Sequence, residues 1–216
     1  MSFKKSSSDL ELIKWISIVS MLIDHVGMIF YPDIDGFRYI GRFAFIGFAF
    51  LIAYNYRYNT KNKFRYKYRL FIFAIISQPI FQILIPGEMN ILFLLLMGIF
   101  TIYSIEEIKK GKVISPTFIL FGSLEVSLFS GYFLFGVLVI LFFYYSLEEN
   151  KYIPFLLLSV ALLNFSISYG IVSLAYLILI YFLHAPIEIK RVQGFFFYLF
   201  YPLHLSILYL IKILTS

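Results

Sequence analysis

Two adjacent ionisable residues, Asp24 and His25, stand in Met21-Leu-Ile-Asp-His-Val-Gly27, a little past the middle of an apolar run long enough to cross a bilayer. Ionisable side chains at that depth are costly unless they are partnered or face a water-filled cavity, so they mark a functional site by default. Arg42 lies in the next apolar run and a second imidazole, His204, in the last. An acid, a cation and imidazoles sharing one intramembrane cavity can relay protons, or they can serve as packing glue between helices.

Helical geometry places these groups. At about 1.5 Å per residue, Asp24 and His25 lie roughly 9 to 11 Å below the outer end of the first span, and Arg42 roughly 7 Å below the outer end of the second. A short turn joins the two, which makes them antiparallel neighbours with the ionisable groups in one layer. Ser17, Ser20, Asp24, Gly27 and Tyr31 share a face of the first helix, whereas His25 points about 100° away. The expected arrangement is an Asp24–Arg42 ion pair with His25 looking into the cavity beside it. Gln78, Asn90, Glu125 and Asn164 add polar groups at mid to outer depth. In the last helix Tyr198, Tyr201 and His204 line one side around Pro202, which frees a backbone carbonyl in the preceding turn. Gln78, Asn90 and Tyr201 are the candidate lining of a substrate pocket. Glu125 reads as interfacial and His184 as a loop residue.

The elements that hold these groups follow from composition. With 61% hydrophobic, 21% aromatic and only 14% charged residues, the 216-residue chain has too little polar surface to cover a soluble globule. The fold class is an all-α polytopic membrane bundle. About nine spans are expected: Leu12 to Tyr31, Phe37 to Tyr54, Tyr68 to Ile85, Ile91 to Ile105, Val113 to Phe129, Tyr132 to Leu147, Ile153 to Phe165, Ile171 to Leu183 and Phe195 to Leu214, the fifth to eighth being short. The first span reads as uncleaved, because no small-residue cleavage site follows it. The chain is read as one domain, 1–216, without internal repeats.

Alternate loops carry the basic residues, including Lys109, Lys110, Lys112, Lys151, Lys190 and Arg191, in register with Lys4 and Lys5. Asp33, Asp35, Arg38 and Glu88 lie on the opposite side. By the positive-inside rule the amino terminus is cytoplasmic, in a multi-pass protein of a cell membrane. The net charge of +6 sits mostly in those short turns, so membrane lipid accounts for it and nucleic acid is excluded as a partner. The run Arg57, Lys61, Lys63, Arg65, Lys67 and Arg69 is denser than orientation requires. It is either a solvated, lipid-facing loop or a clamp for the phosphates of a cytosolic cofactor. Cysteine is absent, which removes disulfides and thiolate chemistry. No His or carboxylate spacing suggests a metal site, no Gly-rich phosphate loop occurs and no serine elbow is found.

Leu22-Ile-Asp-His-Val-Gly27, Ile40-Gly-Arg-Phe-Ala-Phe45, Tyr54-Asn-Tyr-Arg57, Ile76-Ser-Gln-Pro79, Asn90-Ile-Leu-Phe93 and Phe197-Tyr-Leu-Phe-Tyr-Pro-Leu-His204 together resemble the TraX family of bacterial membrane proteins. Order and spacing match across nearly the whole chain, although Val113 to Leu183 matches in hydropathy alone. Ile46-Gly47 replaces the usual proline after the Gly-Arg motif, and Pro79 directly follows Gln78. The family is named for an enzyme that acetylates the amino terminus of conjugative pilin, and it resembles larger membrane acyltransferases that modify surface sugars. The resemblance implies acetyl transfer from acetyl-CoA to an amine. His25 would be the base, Arg42 or His204 the donor to the developing oxyanion, and Asp24 would hold Arg42 or stabilise the imidazolium through space. The nucleotide would meet the basic run from Arg57 to Arg69, and the acceptor would be a peptide amine. Three alternatives stand beside this: O-acetylation of an envelope glycan, a small proton-coupled transporter, and a non-enzymatic assembly protein.

Overall fold

The computed structural model describes residues 4–163, 166–192 and 194–215. Asn164, one of the polar groups singled out above, lies outside the described residues. The elements are α1 (Ser7–Phe30), α2 (Asp35–Tyr54, prolonged by a π-helical turn over Asn55–Asn59), α3 (Lys63–Leu84), α4 (Ile91–Lys109), α5 (Ile114–Ser127), α6 (Phe133–Ser146), α7 (Ile153–Ala161), α8 (Ile167–Phe182) and α9 (Gly194–Thr215). The chain is all-α: among the described residues the sole β feature is an isolated bridge between Met89 and Ser130.

Among the described residues four helical stretches are long and apolar enough to cross a membrane: Ser7–Phe30, Asp35–Asn59, Ile91–Lys109 and Gly194–Thr215. In place of the expected nine spans, the described residues hold nine α-helices of unequal reach. α3 has the length, at 22 residues, but Lys63, Arg65, Lys67 and Arg69 fill its first two turns. α5 and α6 have 14 residues each and α7 has 9. A 14-residue helix rises only about 21 Å, short of a hydrocarbon core of about 30 Å.

Polar residues set the helix starts earlier than hydropathy does. α1 begins at Ser7, ahead of Leu12, because Ser6 and Asp9 form a reciprocal capping box. α3 begins at Lys63, where the Asn62 side chain accepts the Arg65 amide at 2.9 Å.

α2 is the central helix: from Gly41 to Tyr54 every residue except Phe48 is buried. It touches α1, α4, α6 and α8, while α9 packs on α3 and more sparingly on α1. Small residues let α1 and α2 lie close along their length. A Cβ on Gly27 would overlap Phe37, one on Gly41 would overlap the Asp24 carboxylate, and one on Gly47 would overlap Ser17 Oγ. Between these contacts the Ser20 hydroxyl donates to the Ile40 carbonyl. The face of α1 identified from spacing is thus the face applied to α2, and Gly41 makes the room in which Asp24 sits.

Gly41→Ala is expected to destabilise the protein by about 1–3 kcal/mol, the usual cost of overpacking, read as an earlier unfolding transition in detergent. Gly36→Ala, with no atom crowding its position, is expected to leave stability unchanged or slightly raised. Equal stability of the two variants would overturn the α1–α2 register.

Candidate functional site

The first and last helices meet through two histidines. His25 Nδ1 lies 2.8 Å from His204 Nε2, with the ring planes 6° apart and their centroids separated by 5.0 Å. The geometry is a hydrogen bond in the common ring plane. The other nitrogen of His204, Nδ1, lies 2.9 Å from the Phe200 carbonyl. A carbonyl only accepts, so with both rings neutral His204 carries its proton on Nδ1 and offers the Nε2 lone pair to His25. His25 must then be protonated on Nδ1. Its Nε2 is left with the lone pair that the chain of bonds does not use. Both residues are buried. His25 is consequently the base-competent member of the pair, and His204 holds its orientation and tautomer.

Asp24 does not pair as expected. Its carboxylate meets Arg38, Nη1 to Oδ1 at 2.7 Å, in an ion contact poorly aligned for a hydrogen bond. Arg42 donates from Nη1 to the Tyr132 hydroxyl at 3.1 Å, and its guanidinium lies over the rings of Tyr132 and Tyr169, 5.5 and 4.6 Å from the centroids. Helical direction explains the exchange. Asp24 faces Gly41, so Arg42 one residue on points about 100° away, toward α6 and α8, while Arg38 lies three residues back along the Gly41 row.

Two cavities flank this layer. The smaller, about 170 Å³, is lined by Asp24, His25, Arg38, Arg42, Tyr132 and Glu88 with apolar neighbours. The larger, about 960 Å³, opens between α1, α3 and α9 toward the basic end of the bundle, at the upper end of the roughly 300–1,000 Å³ usual for ligand pockets. Met21, Phe48, Ile91 and Tyr201 line both.

The basic run divides between two surroundings. Lys61, Arg65 and Arg69 line the larger cavity. Arg57 instead forms an ion pair with Glu148, sits 4.4 Å over the Tyr144 ring and donates to the Tyr144 carbonyl. Lys63 lies over Tyr56 and Lys67 over Tyr103. On α3, positions 65 and 69 share one face and 63 and 67 the opposite one, so a four-residue spacing separates the sets. Lys5, Lys14 and Arg191 complete the cationic lining and are not apparent from the density of the loop. Lys5 is held by the Tyr181 and Leu183 carbonyls at 2.9 and 2.6 Å. Burial pulls its ammonium below the ordinary lysine range, with the Asp9 charge opposing.

Gln78 and Asn90 form a clasp and do not line the smaller cavity. Gln78 Oε1 accepts from the Asn90 amide and from Asn90 Nδ2, both at 2.9 Å. Asn90 Nδ2 also donates to the Ala74 carbonyl, and its Oδ1 caps α4 at the Leu92 amide. Tyr201 is the member of that predicted set that reaches the site. Glu125 is exposed, as an interfacial residue would be. His184 stays in the α8–α9 connection, 3.4 Å from Asp9.

An all-α bundle with spanning helices and a polar site enclosed between its first, second and last helices defines an integral-membrane protein. The chain belongs to the TraX family: the model for "TraX protein" matches residues 9–212. The chain is also similar to an uncharacterized protein of Rickettsia prowazekii (strain Madrid E), 40% identical over 45 residues, which cover 21% of this chain and 18% of that protein. No solved structure matches it significantly.

Nitrogen NMR of the histidine-labelled protein at neutral pH is expected to find both His25 and His204 protonated on Nδ1 and bare on Nε2. In His204→Gln the His25 ring is expected to lose the preference for that tautomer. A parent protein with His25 bare on Nδ1 would reverse the direction of the dyad.

Proposed function

We propose that this chain is a membrane-embedded acetyltransferase that moves an acetyl group from acetyl-CoA to an amine, such as the amino terminus of a pilin-like or secreted peptide. The observation that carries the reading is the junction of the two cavities: a large one rimmed by cations, a small one lined by His25, and four residues, Met21, Phe48, Ile91 and Tyr201, that line both. In this reading the basic end faces the cytosol, and α5 to α8 complete nine membrane-embedded segments as short or re-entrant pieces. Lys61, Arg65, Arg69 and Arg191 suit the phosphates of a coenzyme A thioester, whereas Lys14 is paired with Glu11 and Lys5 with two backbone carbonyls. The acceptor comes to the smaller cavity from the other side.

The chemistry follows from the site's charges. An α-amino group with a pKa near about 8 is largely protonated at neutral pH and unreactive in that form. Asp24 and Glu88 carry two negative charges against the two positive charges of Arg38 and Arg42, so the inner chamber is balanced overall and its positive charge is local to the two guanidinium groups. A guanidinium near the reacting atoms favours the neutral amine and the negative charge that develops on the acyl oxygen. His25 Nε2 takes the proton as the amine nitrogen bonds to the acyl carbon. When the carbon–sulfur bond breaks, the same proton passes to the departing thiolate. His204 holds the ring in place throughout, and because both of its nitrogens are engaged it is not the oxyanion donor.

Purified protein in detergent is expected to bind coenzyme A and to hydrolyse acetyl-CoA slowly. His25→Gln should lower turnover by roughly 10²- to 10⁴-fold, the range of general-base catalysis, while binding persists. Neutralising Lys61, Arg65 and Arg69 should weaken binding at least about tenfold, since hydrogen bonds to charged groups are worth about 1.5–3 kcal/mol, and should flatten its salt dependence. Neutralising Arg57, Lys63 and Lys67 should not. A parent that neither binds nor hydrolyses ends the acetyltransferase reading, and transport assays then become the next test.

A further inference from the structure

We infer that Tyr201 is the hydrogen-bond donor to the acyl oxygen in the proposed transfer, an inference that rests on the acetyltransferase reading. Of the four residues lining both cavities, Met21, Phe48 and Ile91 are apolar and Tyr201 alone carries a polar group. Its ring stands edge-on to His25 with centroids 6.2 Å apart and to His204 at 5.4 Å. Tyr201 is 3% exposed. Its hydroxyl is buried without an aligned hydrogen-bond partner and lies beside the backbone of Ile91, the first residue of α4. Buried hydroxyls normally find partners, so a hydroxyl left over at the junction of two cavities is an unused donor where a ligand would cross.

The alternatives are otherwise placed. His204 donates to Phe200 and accepts from His25. Arg42 lines only the smaller cavity and gives Nη1 to Tyr132. A thioester arriving through the larger cavity meets Tyr201 first, on the side where the amino-terminal end of the α4 dipole also favours negative charge. The step balances without further reagents. The acceptor nitrogen bonds to the acyl carbon, the carbonyl π pair moves to oxygen and is held by the Tyr201 O–H, and His25 takes the amine proton. The pair returns, the carbon–sulfur bond breaks, and the thiolate leaves with the proton from His25. Tyr201 keeps its own proton and acts only as a donor.

The test compares parent, His25→Gln and Tyr201→Phe for coenzyme A affinity, single-turnover hydrolysis of acetyl-CoA and melting in detergent. Tyr201→Phe is expected to lower turnover by roughly 10²-fold, the loss typical of one oxyanion donor, with Kd within about twofold and an unchanged melt. Parental turnover in Tyr201→Phe overturns the assignment. Loss of binding in step with turnover also overturns it, making the residue part of the cavity wall. If the phenylalanine variant does not fold, 3-fluorotyrosine at position 201 retains the shape and strengthens the donor. A changed rate then supports the assignment, and an unchanged rate overturns it. A parent without binding or hydrolysis removes the acetyltransferase reading itself, a result distinct from an active parent with an active Tyr201→Phe.

Discussion

Inside hydrocarbon there is no water to satisfy a polar group, so each must find its partner within the protein. Much of this structure follows from that constraint. Ser17 and Ser77 return their hydroxyls to the carbonyls four residues back, at 2.7 and 2.6 Å. Asn90, fully buried, spends its side chain on the start of α4 and on α3. Asp24 has Arg38, and His25 has His204, which has the Phe200 carbonyl. The last series has a direction, because a carbonyl at one end cannot donate. The free lone pair at the far end is therefore a consequence of ordinary hydrogen-bond satisfaction, and it belongs to the residue that faces the smaller cavity.

The shared face of α1 was legible from three- and four-residue spacing. Ser17, Ser20, Asp24 and Gly27 all meet α2, and Tyr31 stacks on Phe37. Depth alone was a poorer guide to partners. It put Asp24 and Arg42 in one layer, where they do lie, but two groups in a layer still point in different directions. The 100° step that turns His25 away from Asp24 also turns Arg42 away from Gly41. Loop charge groups Arg38 with Asp33, Asp35 and Glu88 on the side opposite the basic turns. A long arginine stem lets the guanidinium leave the level of its own Cα and reach the carboxylate. The same reasoning splits the basic run. Its density is visible in the sequence, but which cations face the cavity depends on where α3 begins, and the Asn62 cap decides that.

Other features depended on contacts between distant segments. Lys5 lies just ahead of α1, Lys14 within it and Arg191 in the α8–α9 connection, and they converge only when α9 docks. Gln78 and Asn90 looked like pocket residues because uncharged polar side chains within apolar runs suggest a ligand. In the folded chain they satisfy one another and the otherwise unpaired amides at the start of α4, the commoner fate of such groups. Tyr201 could not be told from its many aromatic neighbours by type. What distinguishes it is a buried hydroxyl without an aligned partner, which is a property of the packed structure.

The last helix is tied to the first at two levels, and the interval between them shapes the larger cavity. At the basic end the α8–α9 connection is fastened to the start of α1: Asp9 accepts the Ala185 amide at 2.7 Å, Ser8 accepts the Ile189 amide at 3.2 Å, and Lys5 reaches the Leu183 carbonyl. Deep in the bundle the second tie is the His25–His204 bond, between residues 179 positions apart in sequence. Between the ties α1 and α9 also touch, with Lys14 Nζ 4.4 Å over the Phe197 ring and Trp15 edge-on to the same ring, while Ile18, Met21 and Tyr201 line the cavity deeper in. The deep tie aligns the imidazole that carries the free lone pair, which stands in the wall of the smaller cavity. A helix pair joined only by apolar contacts could close completely or slide. Hydrogen bonds at both ends fix the register and the separation, and with them the position of His25 relative to whatever enters from the basic end.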